Sequence, residues 1–321
     1  MDLVEERVFM EREIKRINIY EGCDKHCENC ERYFDCEAPA KETFKKKGIM
    51  ALIEDNLKTV KHCIAILGGK GGVGKSMLAV NLSAALAMKG KKVCILDQVY
   101  DCPAIPLMLG IPQDFRLMIG KKGLIPAVGP LGIKVVSTGL ILDQDEVIVW
   151  FHDMKRNATE ELLCAVDYGD LDYLVLDIPA GTSSETVNVL KYIPWMDGAL
   201  VITVASEVSQ NVARKCVYIL KKARVPILGV VENMSDSICP HCGEHAAILQ
   251  KDAGVRMAER EGVPFLGKLA ISDQVSTSLD EGEPFVIRHP ESNETKVLMD
   301  LADIVIKETS NKAKRERDNG I

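Results

Sequence analysis

Short, nearly uninterrupted apolar runs alternate with amphipathic segments from about residue 61 to residue 308. Apolar runs of this length predict strands that are buried on both faces, and apolar residues three or four positions apart predict the helices between them. A helix is predicted for Ser76 to Met88 and another for 293–308. Seven strands are predicted, at 63–67, 92–97, 133–137, 172–178, 198–205, 226–233 and 264–269. This alternation predicts an α/β fold with a doubly wound, mostly parallel sheet.

Both ends of the chain differ from this pattern. Residues 1–60 are highly charged at the start, where 3–17 predicts a short helix, and then contain four clustered cysteines and a basic run. We therefore expect a small Cys-rich metal-binding extension and linker at 1–60, a main domain at 61–308 and a flexible tail at 309–321. The N-terminus lacks the apolar core of a signal peptide and no apolar run is long enough for a membrane span, so we expect a cytoplasmic protein without a membrane partner.

The composition narrows the class of protein further. Hydrophobic residues make up 47% of the 321 residues, which is enough to bury a large core. The chain has 40 Lys and Arg against 47 Asp and Glu, so its formal net charge is −7. This acidic balance argues against nucleic acid as a partner recognised by charge.

A glycine-rich segment predicts a phosphate-binding loop. Residues 69–76 fit the pattern G-x-x-x-x-G-K-[ST] between a predicted strand and a predicted helix, which is the context that the motif requires. Backbone N–H groups of the loop would surround phosphate oxygens, Lys75 would reach the β and γ phosphates, and Ser76 would bind Mg²⁺. The predicted ATP-binding residues here are Gly69, Lys70, Gly71, Gly72, Val73, Gly74, Lys75, Ser76 and Met77.

A dinucleotide fold is the alternative for this segment. Gly69, Gly71 and Gly74 also satisfy G-x-G-x-x-G, and Asp97 follows at about the spacing, roughly 20 residues, of a ribose-binding acid. That interpretation explains neither Lys75 nor Ser76, so a nucleoside triphosphate is favoured.

Asp177 stands at the end of a predicted strand, where it would lie beside the phosphate-binding loop. A carboxylate in that place would hold a Mg²⁺-bound water. Gly181 follows four residues later and could offer its N–H to the γ-phosphate. We therefore expect Asp177 and Gly181 to complete the nucleotide site.

The chain has eleven cysteines, and thiols remain reduced in the cytosol. Five of them stand in apolar runs or alone and are predicted to be packing residues: Cys63, Cys94, Cys102, Cys164 and Cys216. The other six form two short clusters typical of metal ligation: Cys23, Cys27, Cys30 and Cys36, and Cys239 and Cys242.

The pair Cys239 and Cys242 is only half of a tetrahedral metal site. A twofold dimer would supply four thiolates around one shared cluster, whereas a redox or incidental pair is the alternative. The N-terminal spacing C-x-x-x-C-x-x-C also mimics the radical-SAM motif, but the predicted fold that follows is not a barrel.

Several motifs together resemble a known family. Lys70 of KGGVGKS resembles the signature lysine of the deviant-Walker ATPases, the branch that includes MinD, ParA and the nitrogenase iron protein. With DYLVLDIPAGTS, CPAIPLMLG and VENMS…CPHCGEH, the chain resembles the Mrp/ApbC family of cytosolic ATPases that carry and deliver iron–sulfur clusters.

The resemblance implies a MinD-like P-loop NTPase fold and a homodimer in which Lys70 reaches the partner's nucleotide. It implies a four-iron, four-sulfur cluster shared by Cys239 and Cys242 of both subunits, apo iron–sulfur proteins as recipients, and adenine recognition by Asn233. The N-terminal cysteines resemble the extension of the eukaryotic and archaeal-type scaffold members. That likeness implies a second cluster on Cys27, Cys30 and Cys36. Those members use a distant upstream cysteine as the fourth ligand; no cysteine precedes Cys23 in this sequence, so Cys23 is the candidate, and zinc is the alternative to a cluster.

One segment departs from the family pattern D-x-D-x-Y-G-P. The chain has Asp97 but carries Val99 in place of the second aspartate, which supports Mg²⁺ and the attacking water in that branch. Asp101 either replaces it or caps a turn, and both interpretations stay open. The W-R-G-P-like segment is also altered, at 150–153. We expect ATP hydrolysis to be slow, with Lys70, Lys75, Asp177 and Asp101 as candidate catalytic residues.

Two other functions share these motifs. A MinD/ParA-like positioning ATPase would use Val297 to Lys314 as a membrane helix, but it needs no clustered cysteines. A reductase like the nitrogenase iron protein would place its cluster cysteines elsewhere in the chain.

Overall fold

The computed structural model describes residues 26–30, 32–37, 41, 44–45, 48–142, 148–238, 245–246 and 252–318. The chain forms two compact units, Met1–Gly48 and Ile49–Ile321. In the first unit, the described residues include two short 3₁₀ turns at Cys27–Asn29 and Tyr33–Asp35, and the ring of Tyr33 meets that of Phe44 edge to face. The predicted helix at 3–17 lies outside the described residues.

The second unit alternates strands and helices. Its strands are β1 (Val60–Gly68), β2 (Val93–Asp97), β3 (Met118–Gly120), β4 (Gly123–Ile125), β5 (Ala127–Val128), β6 (Lys134–Val136), β7 (Leu171–Asp177), β8 (Gly198–Val204), β9 (Ile227–Asn233), β10 (Ser237–Ile238), β11 (His245–Ala246) and β12 (Phe265–Lys268). Its helices are α1 (Ile49–Leu57), α2 (Lys75–Met88), α3 (Ile105–Met108), α4 (His152–Cys164), α5 (Ser184–Tyr192), α6 (Glu207–Lys222), α7 (Ala253–Glu261), α8 (Asp273–Asp280), α9 (Phe285–Arg288) and α10 (Asn293–Asp318).

Eight strands form the main sheet in the order β12-β9-β8-β1-β7-β2-β6-β5. Every neighbouring pair is parallel except β5 and β6. The carboxyl ends of β1, β2 and β7 therefore meet at one edge of the sheet, with Asp97 of β2 directly opposite Asp177 of β7. The predicted doubly wound, mostly parallel sheet is confirmed.

The core lies on both faces of this sheet. Alternate strand residues such as Ile64 and Ile66 join a cluster with Leu82 of α2 and Leu301 of α10. The residues between them, such as Ala65, are equally buried outside that cluster, so they face the other side. Burial on both faces explains why the strands appear in the sequence as continuous apolar runs.

Some boundaries differ from the predicted ones. Helix α1 belongs to the second unit, so the division falls at Gly48 and not at residue 60. Asn56 fastens α1 by donating to the carbonyl oxygens of Leu163 and Val166 at 2.9 and 3.0 Å. The last helix continues to Asp318, past the start of the predicted tail.

The cysteines predicted to be packing residues fall into two groups. Cys63, Cys94 and Cys216 are buried, as expected, and Cys164 is half-buried. The prediction is wrong for Cys102, which is exposed, because the loop after β2 turns outward there. Within the described ranges, each helix is too short or too polar to cross a membrane.

Candidate nucleotide site

The phosphate-binding loop joins β1 to α2 and depends on close backbone approaches. A Cβ atom at Gly69 would collide with the backbone of Val212 and Ala213 in α6. Gly74 has a φ of +96°, and a Cβ atom there would strike the Asn233 amide. Because larger residues cannot occupy either position without displacing a neighbour, both glycines are needed for this loop shape.

Ser76 and Asp177 lie in hydrogen-bond contact beneath the loop. The Ser76 hydroxyl donates to Asp177 Oδ2 at 2.5 Å. The other oxygen, Oδ1, is buried and has no hydrogen-bond partner among the described residues. A buried carboxylate oxygen left in this way fits a hard cation such as Mg²⁺, which prefers carboxylate and hydroxyl oxygen ligands.

Asp97 and Asp177 are neighbouring buried carboxylates on paired strands. Burial, and for Asp97 also the nearby Asp177 charge, raises the pKa of both groups above its ordinary value. Asp97 accepts the Val99 N–H at 2.9 Å and the Ser137 hydroxyl at 3.0 Å, which partly offsets this rise. Two buried carboxylates at one strand edge make a place where a divalent cation is stabilising.

The two lysines of the loop differ in environment. Lys75 is buried, and burial lowers its pKa although Asp177 acts in the opposite direction. Its Nζ lies 3.5 Å from the Lys70 carbonyl oxygen, inside the loop. The Lys70 side chain is exposed, so it is free to reach a group outside its own loop.

Asn233 lies against the loop from the end of β9. Its Nδ2 donates to the Val73 carbonyl oxygen at 2.9 Å. A cavity beside it is lined by Met77, Asn81, Asn233, Leu269, Ala270, Val275, Phe285, Glu294 and Leu298. The cavity has a volume of about 20 Å³, which is too small for a nucleobase in this arrangement, so adenine recognition by Asn233 stays a prediction.

Comparison with known proteins decides the family. A family model described as ParA, the NUBPL iron-transfer P-loop NTPase, matches residues 59–306. The chain belongs to the NUBPL family of iron-transfer P-loop NTPases. As a member of this P-loop NTPase family it is an ATPase, which favours a nucleoside triphosphate over a dinucleotide as its ligand.

Curated relatives of this NUBPL-family chain are named for iron–sulfur proteins. The iron-sulfur cluster carrier protein of Saccharolobus solfataricus is 38% identical over 256 residues, which cover 79% of this chain and 86% of that protein. The iron-sulfur protein required for NADH dehydrogenase, mitochondrial, of Arabidopsis thaliana is 38% identical over 255 residues, with 79% and 80% covered.

Solved structures agree on the fold. The nucleotide-binding protein in complex with ADP from Archaeoglobus fulgidus superposes with a TM-score of 0.67 at 28% identity, covering 77% of this chain and 95% of that one. The cell division ATPase MinD of Pyrococcus furiosus gives a TM-score of 0.58 at 23% identity, covering 77% and 99%. The likeness to MinD concerns the fold alone.

Two predicted site residues of the NUBPL-family chain have unexpected partners. The Gly181 N–H donates to the Gly68 carbonyl oxygen at 2.9 Å, so in this arrangement it is not directed at a phosphate. Asp101 lies against helix α4, so both interpretations of its role stay predictions. It forms an ion pair with Lys155 at 2.8 Å.

The cysteine clusters are only partly described. Cys23, Cys239 and Cys242 lie outside the described residues. Cys27 is buried, Cys30 and Cys36 are half-buried, and the Cys30 N–H donates to the Cys27 carbonyl oxygen at 3.4 Å. In the described ranges no three His, Cys, Asp or Glu side chains converge on a possible metal site, so the N-terminal site stays a prediction.

Sequence reasoning missed several residues that shape the site. Ser137 donates to Asp97, and Lys155 also contacts Glu185 at 2.8 Å. Neither belongs to a motif, because each reaches the site through the fold and not through its spacing along the chain. The only sequence signal was the departure of 97–103 from the family pattern, which indicated that new partners were needed there.

Proposed function

We propose that this protein is an ATP-dependent iron–sulfur cluster carrier that works as a homodimer. The cluster is its cargo, a four-iron, four-sulfur group bound by Cys239 and Cys242 of both subunits and passed to apo-proteins. Membership of an iron-transfer NTPase family and relatives named as cluster carriers support this function.

The position of the cysteine pair carries the proposal. Strands β10 and β11 pair antiparallel, Ser237 with Ala246 and Ile238 with His245, and the motif CPHC stands between them in the sequence. β10 follows four residues after Asn233, whose amide donates to the phosphate-binding loop. One short stretch of chain therefore links the loop that binds ATP to the segment that carries the thiols.

Backbone hydrogen bonds also connect the residues just before β10 to the segment 269–271. The Ser235 N–H donates to the Leu269 carbonyl oxygen at 3.1 Å, and the Ile271 N–H donates to the Asp236 carbonyl oxygen at 2.8 Å. Leu269 lines the cavity beside the loop. A nucleotide bound at the loop beside Asn233 would act on 269–271 and, through these bonds, on the start of β10. Asn233 would contact the nucleobase from the loop side, as the family resemblance implies.

The phosphate end of the site supplies the switch. Lys75, with the loop N–H groups, would bind the β and γ phosphates, and Ser76 and Asp177 would hold Mg²⁺, which neutralises charge on the phosphates. The exposed Lys70 would contact the partner subunit's nucleotide and so tie dimer geometry to ATP. Val99 in place of a second aspartate keeps turnover slow, which suits a switch.

Cluster loading and transfer test the proposal. After anaerobic reconstitution with iron and sulfide, the parent should show broad visible absorption and activate an apo iron–sulfur enzyme. A Cys239→Ser/Cys242→Ser variant should lose both properties. Cys102→Ser is the matched control, because it removes an exposed thiol outside the motif and should leave both intact. Equal transfer by the double variant and the parent would contradict the proposal.

The N-terminal cysteines are proposed to hold a second cluster, with zinc as the alternative. Iron and acid-labile sulfide measured per monomer should fall in a Cys27→Ser/Cys30→Ser variant of the full chain, while the Cys239 and Cys242 cargo remains. Loss of zinc without sulfide would identify the site as a zinc site.

A further inference from the structure

The loop after Asp97 is attached to helix α4 by a charged side chain and by a tyrosine hydroxyl. Lys155 of α4 lies 2.8 Å from Asp101 Oδ2 and 2.8 Å from Glu185 Oε1. Asp101 belongs to the loop between β2 and α3, and Glu185 stands in the first turn of α5, just after the loop that follows Asp177. One lysine thus joins the loops that follow the two buried aspartates of the nucleotide site.

Other contacts hold the same segment to α4. The Tyr100 hydroxyl donates to Gln98 Oε1 at 2.6 Å and lies 2.8 Å from Thr159 Oγ1. Thr159 is one helical turn beyond Lys155 and donates to its carbonyl oxygen. The Trp150 ring, two residues before α4 begins, packs on the Tyr100 ring with centroids 5.3 Å apart. The loop therefore moves independently of α4 only if some of these contacts open.

The two ion pairs of Lys155 are unequal. The Glu185 side chain is 6% exposed, and its loss of Lys155 would leave a buried carboxylate unpaired, which is costly. The Asp101 side chain is 61% exposed, so its pair with Lys155 is weak and easily exchanged for water. The ion pair of Lys155 with Glu185 is therefore the stable one, and the ion pair with Asp101 is the one that can break.

We propose that Lys155 is a positioning residue whose ion pair with Asp101 restrains the loop at 98–103 and slows ATP turnover. The ion pair between Lys155 and Glu185 persists, and the loop is released when the ion pair between Lys155 and Asp101 breaks. Asp101 is then a tether and not a substitute for the aspartate replaced by Val99. This inference requires only the ATPase activity, so cluster transfer can fail without affecting it.

The test is steady-state ATP turnover by the full-length protein at saturating ATP. Asp101→Asn should raise kcat roughly two- to fivefold, the change that the small contribution of an exposed ion pair corresponds to, with KM for ATP little changed. The matched control is Asp303→Asn. Asp303 of α10 is 62% exposed and pairs at 2.7 Å with Lys89, the residue that follows α2, so its loss should leave kcat unchanged.

Salt dependence separates a tether from a merely structural role. Raising KCl from about 0.05 to 0.5 M shortens the screening length severalfold, so the parent's kcat should rise toward that of Asp101→Asn. The Asp101→Asn variant should show a flat dependence, and Asp303→Asn should follow the parent. A kcat for Asp101→Asn equal to or below the parent's, or a salt response like the parent's, would overturn the inference.

Variants of Lys155 and Glu185 test whether Lys155 restrains the loop. Lys155→Met should also raise kcat but lower the melting temperature, because Glu185 is left buried and charged. Adding Glu185→Gln should restore the melting temperature and keep the raised kcat, and Lys155→Arg should retain the parent's behaviour. If Lys155→Met lowers kcat even in the restored double variant, Lys155 does not restrain the loop.

Discussion

The aspartates at the two ends of the central sheet differ in the partners that balance their charge. At the carboxyl ends of the strands, Asp97 and Asp177 are buried side by side, and Asp177 Oδ1 has no partner in the described part of the chain. At the amino ends, Asp197 accepts the Cys63 N–H at 2.9 Å and lies 3.6 Å from Lys312 Nζ. One end leaves negative charge in excess, and the other neutralises it.

Asp172 shows the same contrast through its pKa. Burial acts to raise it, but the Lys61 ion pair and the Lys92 N–H, each at 2.8 Å, lower the pKa of Asp172 below its ordinary value. Burial dominates for Asp97 and Asp177, whose pKa values are raised. The amino end is therefore arranged for stability, while the carboxyl end keeps two buried carboxylates at a cost in stability, which the proposed Mg²⁺ and phosphate site would explain.

The largest expected effect is on ATP turnover, where substitution of Lys75 at the carboxyl end should differ from substitution of Lys61 at the amino end. Lys75→Met should reduce ATP turnover by about 100-fold or more, because a buried cation that faces the phosphates is lost. Lys61→Met removes an exposed lysine paired with Asp172 at the other end and should change turnover less than about twofold. Phosphate release at saturating ATP measures both. Similar losses in the two variants would show that the ends are not functionally distinct.

Replacing an aspartate by asparagine should change the free energy of unfolding in opposite directions at the two ends. Without nucleotide at pH 8, Asp177→Asn should raise the free energy of unfolding by about 1–2 kcal/mol, because a buried charge with a raised pKa is removed. Asp197→Asn should lower it by about 1–2 kcal/mol, because a charged acceptor and an ion pair are lost. Urea unfolding monitors both changes.

Nucleotide binding provides the control for this pair. Asp177→Asn should weaken Mg²⁺-dependent ATP binding, whereas Asp197→Asn should leave it unchanged. A destabilised Asp177→Asn protein would mean that Lys75, not repulsion and burial, determines the energetics of the carboxyl end.

The sequence predicted the carboxyl end better than the amino end. Strand limits and the loop at 69–76 follow from local patterns, since continuous apolar runs and required glycines are visible in a single window. The ending of β7 at Asp177, close to the loop, also followed from parallel topology. Its contact with Ser76, 101 positions away, confirms that placement.

The remaining features depend on contacts distant in sequence. The pair of Lys155 with Asp101 spans 54 positions, and the bond between Asn233 and Val73 spans 160. Nothing in the local pattern distinguishes these side chains from solvated polar residues. Helix α1 was not predicted, because its nine residues directly follow a basic run typical of a linker, although Asn56 and its apolar face attach it to α4.

The free energy of unfolding should also depend on pH, with opposite contributions from the aspartates of the two ends. Because the raised pKa values make the folded protein bind more protons than the unfolded chain, its free energy of unfolding should fall from about pH 4 upward through those values. The slope is about 1.4 kcal/mol per pH unit for each proton of difference. Asp172 has the opposite sign, because its contribution is present above its unfolded pKa and is lost as the pH falls through its lower folded pKa.

Unfolding curves of the nucleotide-free parent and Asp97→Asn across this range measure the effect. The difference between them should grow in favour of the variant as the pH rises, and Mg²⁺ with ATP should abolish that growth. A difference that stays constant with pH would show that Asp97 is not held against repulsion.

The smallest expected effect lies at the amino end, where α10 extends past its predicted limit. The buried Tyr173 hydroxyl and Thr309 Oγ1 are 3.0 Å apart. Thr309→Val keeps the shape but leaves the tyrosine hydroxyl unpaired, so it should lower the free energy of unfolding by about 1 kcal/mol and leave ATP turnover unchanged. Tyr173→Phe/Thr309→Val removes both partners and should recover most of that loss, because no buried polar group then remains unsatisfied. Unchanged stability in the single variant would mean that this bond does not attach the end of α10 to the sheet, and the contrast between the two ends would then depend on the charged groups alone.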